Sequence, residues 1–385
     1  MQQLLLICGT LCLVAWLYLL LLHGRFWLVS QLQAVPAPAS PTSGTIVAII
    51  PARNEAANIA RAVASLLAQS CADGLQIYVV DDNSTDGTAQ AARAAASADD
   101  PQKVHILAGQ PLPAGWSGKL WAVQQGIDAA MVLNPRFLLL TDADVEHAPD
   151  NVATLVSLAE RENYDMVSFM VKLHCRSFAE KLLIPAFVFF FFMLYPPLWI
   201  RSPRRKTAGA AGGCILVRPQ ALALAGGINA IRHEVIDDCA LARALKRSSG
   251  RVWLGLTADT HSFRPYESFG EIERMIARTA FNQLGHSLLV LIGAVVGLAL
   301  LYVLPVILLF AREPRLTAIG TTAYLIMSLI YLPMVRFYGL EPGWALTLPL
   351  SAIFYLGATV DSALKFWIGR GGQWKGRAQD RGGSL

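Results

Sequence analysis

Three apolar blocks divide this chain: residues 4–22, the region around 182–200, and most of what lies between about 287 and the basic tail. A run of about 18 to 20 apolar residues is long enough to cross a bilayer, so a chain built this way does not fold as one soluble globule. Between the blocks, 44–180 and 201–280 have ordinary soluble composition and together suffice for a core of their own. The totals agree, with 54% hydrophobic and only 15% charged residues, which is membrane-protein composition. The first run has no basic n-region and no small-residue cleavage site, so residues 1–24 read as a retained anchor. Arg25 follows it, and the positive-inside bias then places the soluble part in the cytoplasm, on a multi-pass protein of the inner (plasma) membrane. Residues 25–44, rich in proline, read as an extended linker. The net charge of +5 comes from clusters at Arg201–Lys206 and Lys365–Arg381 that flank apolar stretches. That placement suits anionic lipid head groups and argues against nucleic acid. Six cysteines without Cys-X-X-Cys or zinc spacing read as scattered thiols in a reducing compartment.

From Thr45 the pattern turns to strand, helix, strand, helix. Thr45–Ile50 is β-branched, Ala56–Gln69 has helical spacing, Gln76–Val80 is a second strand and Thr88–Ser97 an Ala-rich helix. This is the start of a doubly wound α/β domain, in which ligands bind at the carboxyl ends of the strands. No Gly-X-Gly-X-X-Gly follows the first strand, which disfavours a dehydrogenase-type dinucleotide fold. A further apolar run, Phe137–Leu140, reads as a strand covered on both faces. It ends on Asp142 and Asp144, and alternation along an extended chain sends both carboxylates to one side, where they could share a hard divalent cation.

The other polar motifs occupy the same kind of position. Pro51-Ala52-Arg53-Asn54-Glu55 follows the first strand, and Asp81-Asp82-Asn83-Ser84-Thr85-Asp86-Gly87 follows the second. Asp82 could accept from a base imide and a ribose hydroxyl, whereas Ser84 or Asp86 could simply cap the next helix. Gly118 presents Lys119 at a helix start, where it could meet a phosphate or remain solvated. Ala208–Gly213 permits close approach of backbone to a ligand, or a tight packing turn. Asp237 and Asp238 begin another helix; one of two adjacent acids could be poised as a base, and helix dipoles favour acids there in any case. Arg274 and Arg278 stand one helical turn apart and could clamp a diphosphate, or serve as positive-inside flanking.

The order of these motifs resembles the inverting family 2 glycosyltransferases of GT-A fold, over residues 45 to about 280. The layout also resembles ceramide-glucosyltransferase-like enzymes. The Trp-X-Gly-Lys at 116–119, the Phe-rich run at 187–192 and Arg278-Thr279-Ala280-Phe281 are similar to hopene-associated glycosyltransferases. The resemblance implies a hexosyltransferase domain over 45–283. It implies that Asp82 contacts the base of a nucleotide-sugar donor, a UDP-sugar before a GDP-sugar, and that Asn54 and Glu55 line the pocket with Pro51, Arg53 and Asp81. Asp142 and Asp144 would bind Mn²⁺ or Mg²⁺, and Asp238, with Asp237 beside it, would deprotonate a lipid acceptor. Where polysaccharide synthases carry Gln-X-X-Arg-Trp, this chain has Arg274-X-X-Arg278-Thr279, a departure that argues against a polysaccharide channel. A polyprenyl-phosphate sugar transferase and a catalytically silent membrane scaffold are the rival readings.

The segment near 182–200 is apolar but falls inside the expected catalytic domain, so it reads as interfacial, lying against the bilayer. Three C-terminal spans are expected within 284–368. They would leave the basic tail, 369–385, outside and against the charge bias. Either the tail is an exception or 344–367 is re-entrant.

Overall fold

A computed structural model of the chain describes residues 2–32, 44–71, 74–96, 102–369, 373–374 and 377–378. Most of the expected linker and of the basic tail lies outside the described residues. Two compact units emerge. One holds the sheet, from residues 32–173 and 199–264; the other is helical, from 1–31, 174–198 and 265–372. The sheet unit thus ends at Arg264, short of the expected 283, and 174–198, expected within 45–283, packs in the helical unit.

The sheet unit is built on eight strands: β1 (Ile46–Ala52), β2 (Leu75–Asp81), β3 (Val104–Ala108), β4 (Phe137–Thr141), β5 (Val145–Glu146), β6 (Met166–Lys172), β7 (Cys214–Val217) and β8 (Val252–Ser262). Their order is β3-β2-β1-β4-β7-β6-β8-β5. The first four pair in parallel, whereas β7 runs antiparallel between β4 and β6. The sheet is mixed rather than doubly wound throughout. Every residue of β1 and β4 is buried, as their unbroken apolar runs require of strands covered on both faces. After β1 the chain winds outward to β2 and β3, then returns to lay β4 on the other side of β1. Such a reversal opens a crevice at the carboxyl ends of the two strands. The helix Gly118–Ala130 packs over β1 and β2 through Gly126, where a Cβ would stand 2.5 Å from Ile49 Cγ2 and 3.1 Å from Val80 Cγ2. Glycine is required there because the helix lies closer to the sheet than any side chain permits.

In the helical unit, Gln2–Leu21, Phe178–Arg201, Leu288–Leu308, Pro314–Phe337 and Pro342–Trp367 are each long and apolar enough to cross a membrane. These five helices point to membrane association. The Phe-rich segment belongs to the helix Phe178–Leu194, which starts on a capping box between Ser177 and Glu180. Buried Glu180 also accepts from His174 Nδ1 and the backbone N–H groups of Arg176, Ser177 and Tyr266, at 2.7 to 2.9 Å. Pro185 interrupts this helix, and the neighbouring carbonyls of Leu182 and Leu183 accept from the hydroxyls of Ser351 (2.8 Å) and Tyr355 (3.0 Å). Hydroxyls from adjacent helices commonly satisfy backbone disturbed by proline in an apolar setting. Phe189 packs its ring against Phe26 and Tyr331, with centroids 5.2 Å apart in each case.

Candidate active site

At the end of β1 the backbone turns at Asn54, whose φ of 52° lies in the left-handed region that asparagine tolerates better than most residues. Its side chain braces the loop after β2: Asn54 Oδ1 accepts from Thr85 N (2.9 Å), and Ser84 Oγ accepts from Asn54 N (3.0 Å). Asp86 accepts from Ala56 N and Thr88 Oγ1 from Glu55 N. Of the helix-capping alternative, only Asp86 has a part, accepting from Thr88 N (3.1 Å) at the start of the next helix; Ser84 and Asp86 together lock two strand-end loops. Asp81 Oδ1 accepts from Ser84 N (3.0 Å). Asp82 is buried, 1% exposed, with Arg53 Nη1 3.7 Å from its carboxylate and 2.5 Å from its carbonyl. Arg53 Nε is buried and, among the described residues, has no hydrogen-bond acceptor. An orphaned buried guanidinium N–H is costly unless a ligand oxygen meets it.

Across the crevice, Ser117 caps the helix that follows it and so sets Lys119 at its first turn. Lys119 Nζ lies 3.1 Å from Asp142 Oδ1 and 3.1 Å from Asp237 Oδ2. One ammonium thereby joins two acidic motifs that are 95 positions apart in the sequence. Burial disfavours its charge, but Asp142, Asp237 and Asp238 outweigh that and keep Lys119 protonated.

β4 stops at Thr141, and Asp142 opens a turn closed by Val145 N–H on its carbonyl. Ala143 is buried between the two part-exposed aspartates, so the alternation expected of Asp142 and Asp144 persists through the turn. Asp144 is pushed up to about 6, first by burial and then by the charges of Asp142 and Glu55, while Arg264 pulls it down. Among the described residues no cluster of three or more His, Cys, Asp or Glu side chains forms a metal cage. A carboxylate whose proton affinity is raised by a second one beside it nonetheless fits, with that neighbour, a hard divalent cation completed by phosphate oxygens and water.

Behind this turn, His147 is buried and held neutral, its pKa near 3 through burial. Asn151 donates to its Nδ1 (2.9 Å), so Nε2–H donates to Thr141 Oγ1 (2.9 Å), and that hydroxyl donates to Gly213 O (2.8 Å). The chain of bonds fixes the glycine turn against the end of β4. Gly212 N–H in turn donates to Asp238 Oδ2 (2.9 Å), and Cys239 N–H to Asp238 Oδ1 (2.7 Å). A Cβ on Gly212 would stand 3.4 Å from that carboxylate and 3.5 Å from Lys119 Nζ, so the small-residue run is a close approach to charged groups. The adjacent acids have different partners: Asp237 meets the lysine, Asp238 the backbone. Burial first, and then Asp237, raise Asp238 to about 6, against the opposing pull of Lys119 and the two N–H groups.

A cavity of about 30 Å³, room for a water or two, lies where these groups meet. Pro51, Lys119, Asp142, Gly212, Asp237 and Asp238 are among its walls. Arg274 and Arg278 are exposed on and just after the helix Phe269–Ala277, in the helical unit. Within the sheet unit it is Arg264 whose charge reaches Asp144. Thr141 and His147 are the residues that motif reading passes over, and Arg264 is legible only as a cation ahead of the first C-terminal span; the Gly212-Gly213 pair was the one signal of a close approach.

Residues 47–224 match the family model described as Glycosyl transferase family 2. The match ends before Asp237. Among solved structures, the chain is similar to a mannosyltransferase from Pyrobaculum calidifontis in complex with GDP-Man and Mn²⁺, at 16% identity, covering 91% of this chain and 99% of that one with a TM-score of 0.54. A glucosyl-3-phosphoglycerate synthase from Mycobacterium tuberculosis, in complex with Mn²⁺, UDP and glucosyl-3-phosphoglycerate, matches at 18% identity over 66% of this chain and 88% of that one, TM-score 0.39.

Proposed function

From the match of residues 47–224 to the family described as Glycosyl transferase family 2, we propose that the chain moves a hexose from a nucleotide-sugar donor to a hydroxyl of a lipid acceptor, with inversion, at the cytoplasmic face of a membrane. The observation that carries this reading is the meeting of Lys119, Asp142, Asp237 and Asp238 around one cavity at the carboxyl ends of β1 and β4. Asp238 takes the proton of the acceptor hydroxyl. The hydroxyl oxygen forms a bond to the anomeric carbon as the bond to the diphosphate oxygen breaks on the opposite side, and the nucleoside diphosphate leaves with that electron pair. Lys119 places positive charge beside the departing phosphate. Asp142 and Asp144 would hold Mn²⁺ or Mg²⁺, which supplies further neutralisation of the leaving group when bound. The lipid acceptor, a hopanoid or a related polycyclic or sphingolipid-like alcohol, is supported by the five long apolar helices of the same chain.

Membranes containing the chain, supplied with UDP- or GDP-linked radiolabelled hexose, are expected to carry label into the organic phase. Label confined to water-soluble products would overturn the lipid acceptor, and incorporation from GDP-sugar alone would overturn the preference for UDP.

On the donor side, Asp82→Asn removes the charge beside Arg53 and should weaken nucleotide binding by about 1 to 3 kcal/mol while leaving turnover at saturating donor nearly unchanged. Calorimetry with UDP beside kinetics checks it. A fall in turnover with unchanged affinity would contradict the assignment.

A further inference from the structure

Lys246, near the end of the helix Asp237–Arg247, has no acidic partner among the described residues and is committed instead to backbone. Its Nζ lies within reach of four carbonyl oxygens: Ile200 (2.9 Å), Ser202 (3.1 Å), Arg205 (2.8 Å) and Thr207 (2.9 Å). An ammonium has three protons, so these oxygens share them, and the segment 200–207 is wrapped around one cation. The wrapping turns backbone carbonyls inward and leaves Arg204, Arg205 and Lys206 exposed. Arg205 lies over the Trp199 ring at 4.9 Å, which fixes its direction. No ion pair engages these three residues among those described, and no Asp or Glu occurs in the sequence between Glu180 and Glu234. In the chain they follow within a few residues of Phe178–Arg201, a helix apolar enough to cross a membrane.

We propose that the segment 200–207, held in shape by Lys246, is a binding surface for the phosphate head groups of anionic membrane lipids. Three basic side chains of one sign, uncompensated and tied by sequence to an apolar helix, match an anionic bilayer surface in both charge and location. A sequence reader sees the positive cluster; the lysine that builds a shaped loop beneath it comes from a helix some 40 residues later. The pre-formed loop means that little chain entropy is lost when head groups bind. This surface is separate from the transfer site, and its test does not depend on the sugar or the acceptor.

The experiment is hydrogen exchange by mass spectrometry on the full chain in nanodiscs of phosphatidylcholine, with and without phosphatidylglycerol. Exchange of the 201–207 amides is expected to slow on the order of tenfold in the anionic discs, and 0.5 M NaCl should erase the difference. The combined Arg204→Gln, Arg205→Gln, Lys206→Gln variant should exchange alike in both discs. Lys246→Met should exchange faster in both and lose most of the lipid effect. Equal exchange of the wild type in the two discs would overturn the proposal, as would UDP slowing exchange in phosphatidylcholine discs as strongly as the anionic lipid does. Full lipid protection in Lys246→Met would overturn the role of the clamp.

Discussion

Asp238→Asn is expected to slow sugar transfer by roughly a hundred- to ten-thousand-fold, the range typical of losing a general base, while donor binding survives. Asparagine keeps the side chain's shape and can still accept from Gly212 N–H or Cys239 N–H, so the turn should hold. What disappears is the proton acceptor. The pH profile gives an independent sign. The groups around Asp238 are Asp237 and Lys119, and together with burial they leave its carboxyl at about 6. The base works only when ionised, so wild-type turnover should fall as pH drops through about 6 and level off above it. At saturating Mn²⁺, which keeps Asp144 ionised, that acid limb should vanish from the residual activity of Asp238→Asn. Unchanged turnover in the variant would show that another group takes the proton. Asp237→Asn would remove a partner of Lys119 instead of the base, and a smaller loss with the acid limb retained is expected.

Removing divalent metal is the second large effect. EDTA should abolish transfer, and Mn²⁺ or Mg²⁺ should restore it, because the leaving diphosphate develops charge that Lys119 and nearby arginines only partly offset. The protein offers two carboxylates and no larger cluster among the described residues. Metal affinity should therefore be weak in the apo protein and rise when a nucleoside diphosphate adds its oxygens, and by linkage the metal should tighten the nucleotide by the same factor. Calorimetric titration of Mn²⁺ with and without UDP reads this without any turnover. Asp144→Asn should weaken the metal-dependent part. Full activity in thoroughly chelated buffer would sink the metal assignment.

The sequence by itself determined the elements whose signal is local. Strands β1 and β4 were legible because a strand buried on both faces must be apolar throughout, and their carboxyl ends because charged motifs interrupt the runs. Asp142, Asp144, Asp237 and Asp238 could be singled out as groups, since paired carboxylates at element ends are unusual without cations or donors nearby. The five apolar helices were legible as stretches, since length and composition decide whether a helix can cross a bilayer.

Tertiary structure alone decided what those residues meet. Nothing near Lys119 in the sequence says that its ammonium joins Asp142 to Asp237, because that depends on the helix seating against the sheet at Gly126. The mixed sheet was equally hidden: β7 is a short apolar run, and such a run carries no information about its direction or neighbours. The Phe-rich segment was assigned to the catalytic domain because it lies between catalytic motifs, yet it packs with the helices, where burying Phe189 and Phe192 gains more than chain order dictates. His147 looked like any histidine after a strand; only the fold shows it buried, neutral and hydrogen-bonded through Thr141 to the glycine turn beside Asp238. Local pattern fixes which residues are apolar, extended or charged, whereas partners across the chain are set by which surfaces bury best together.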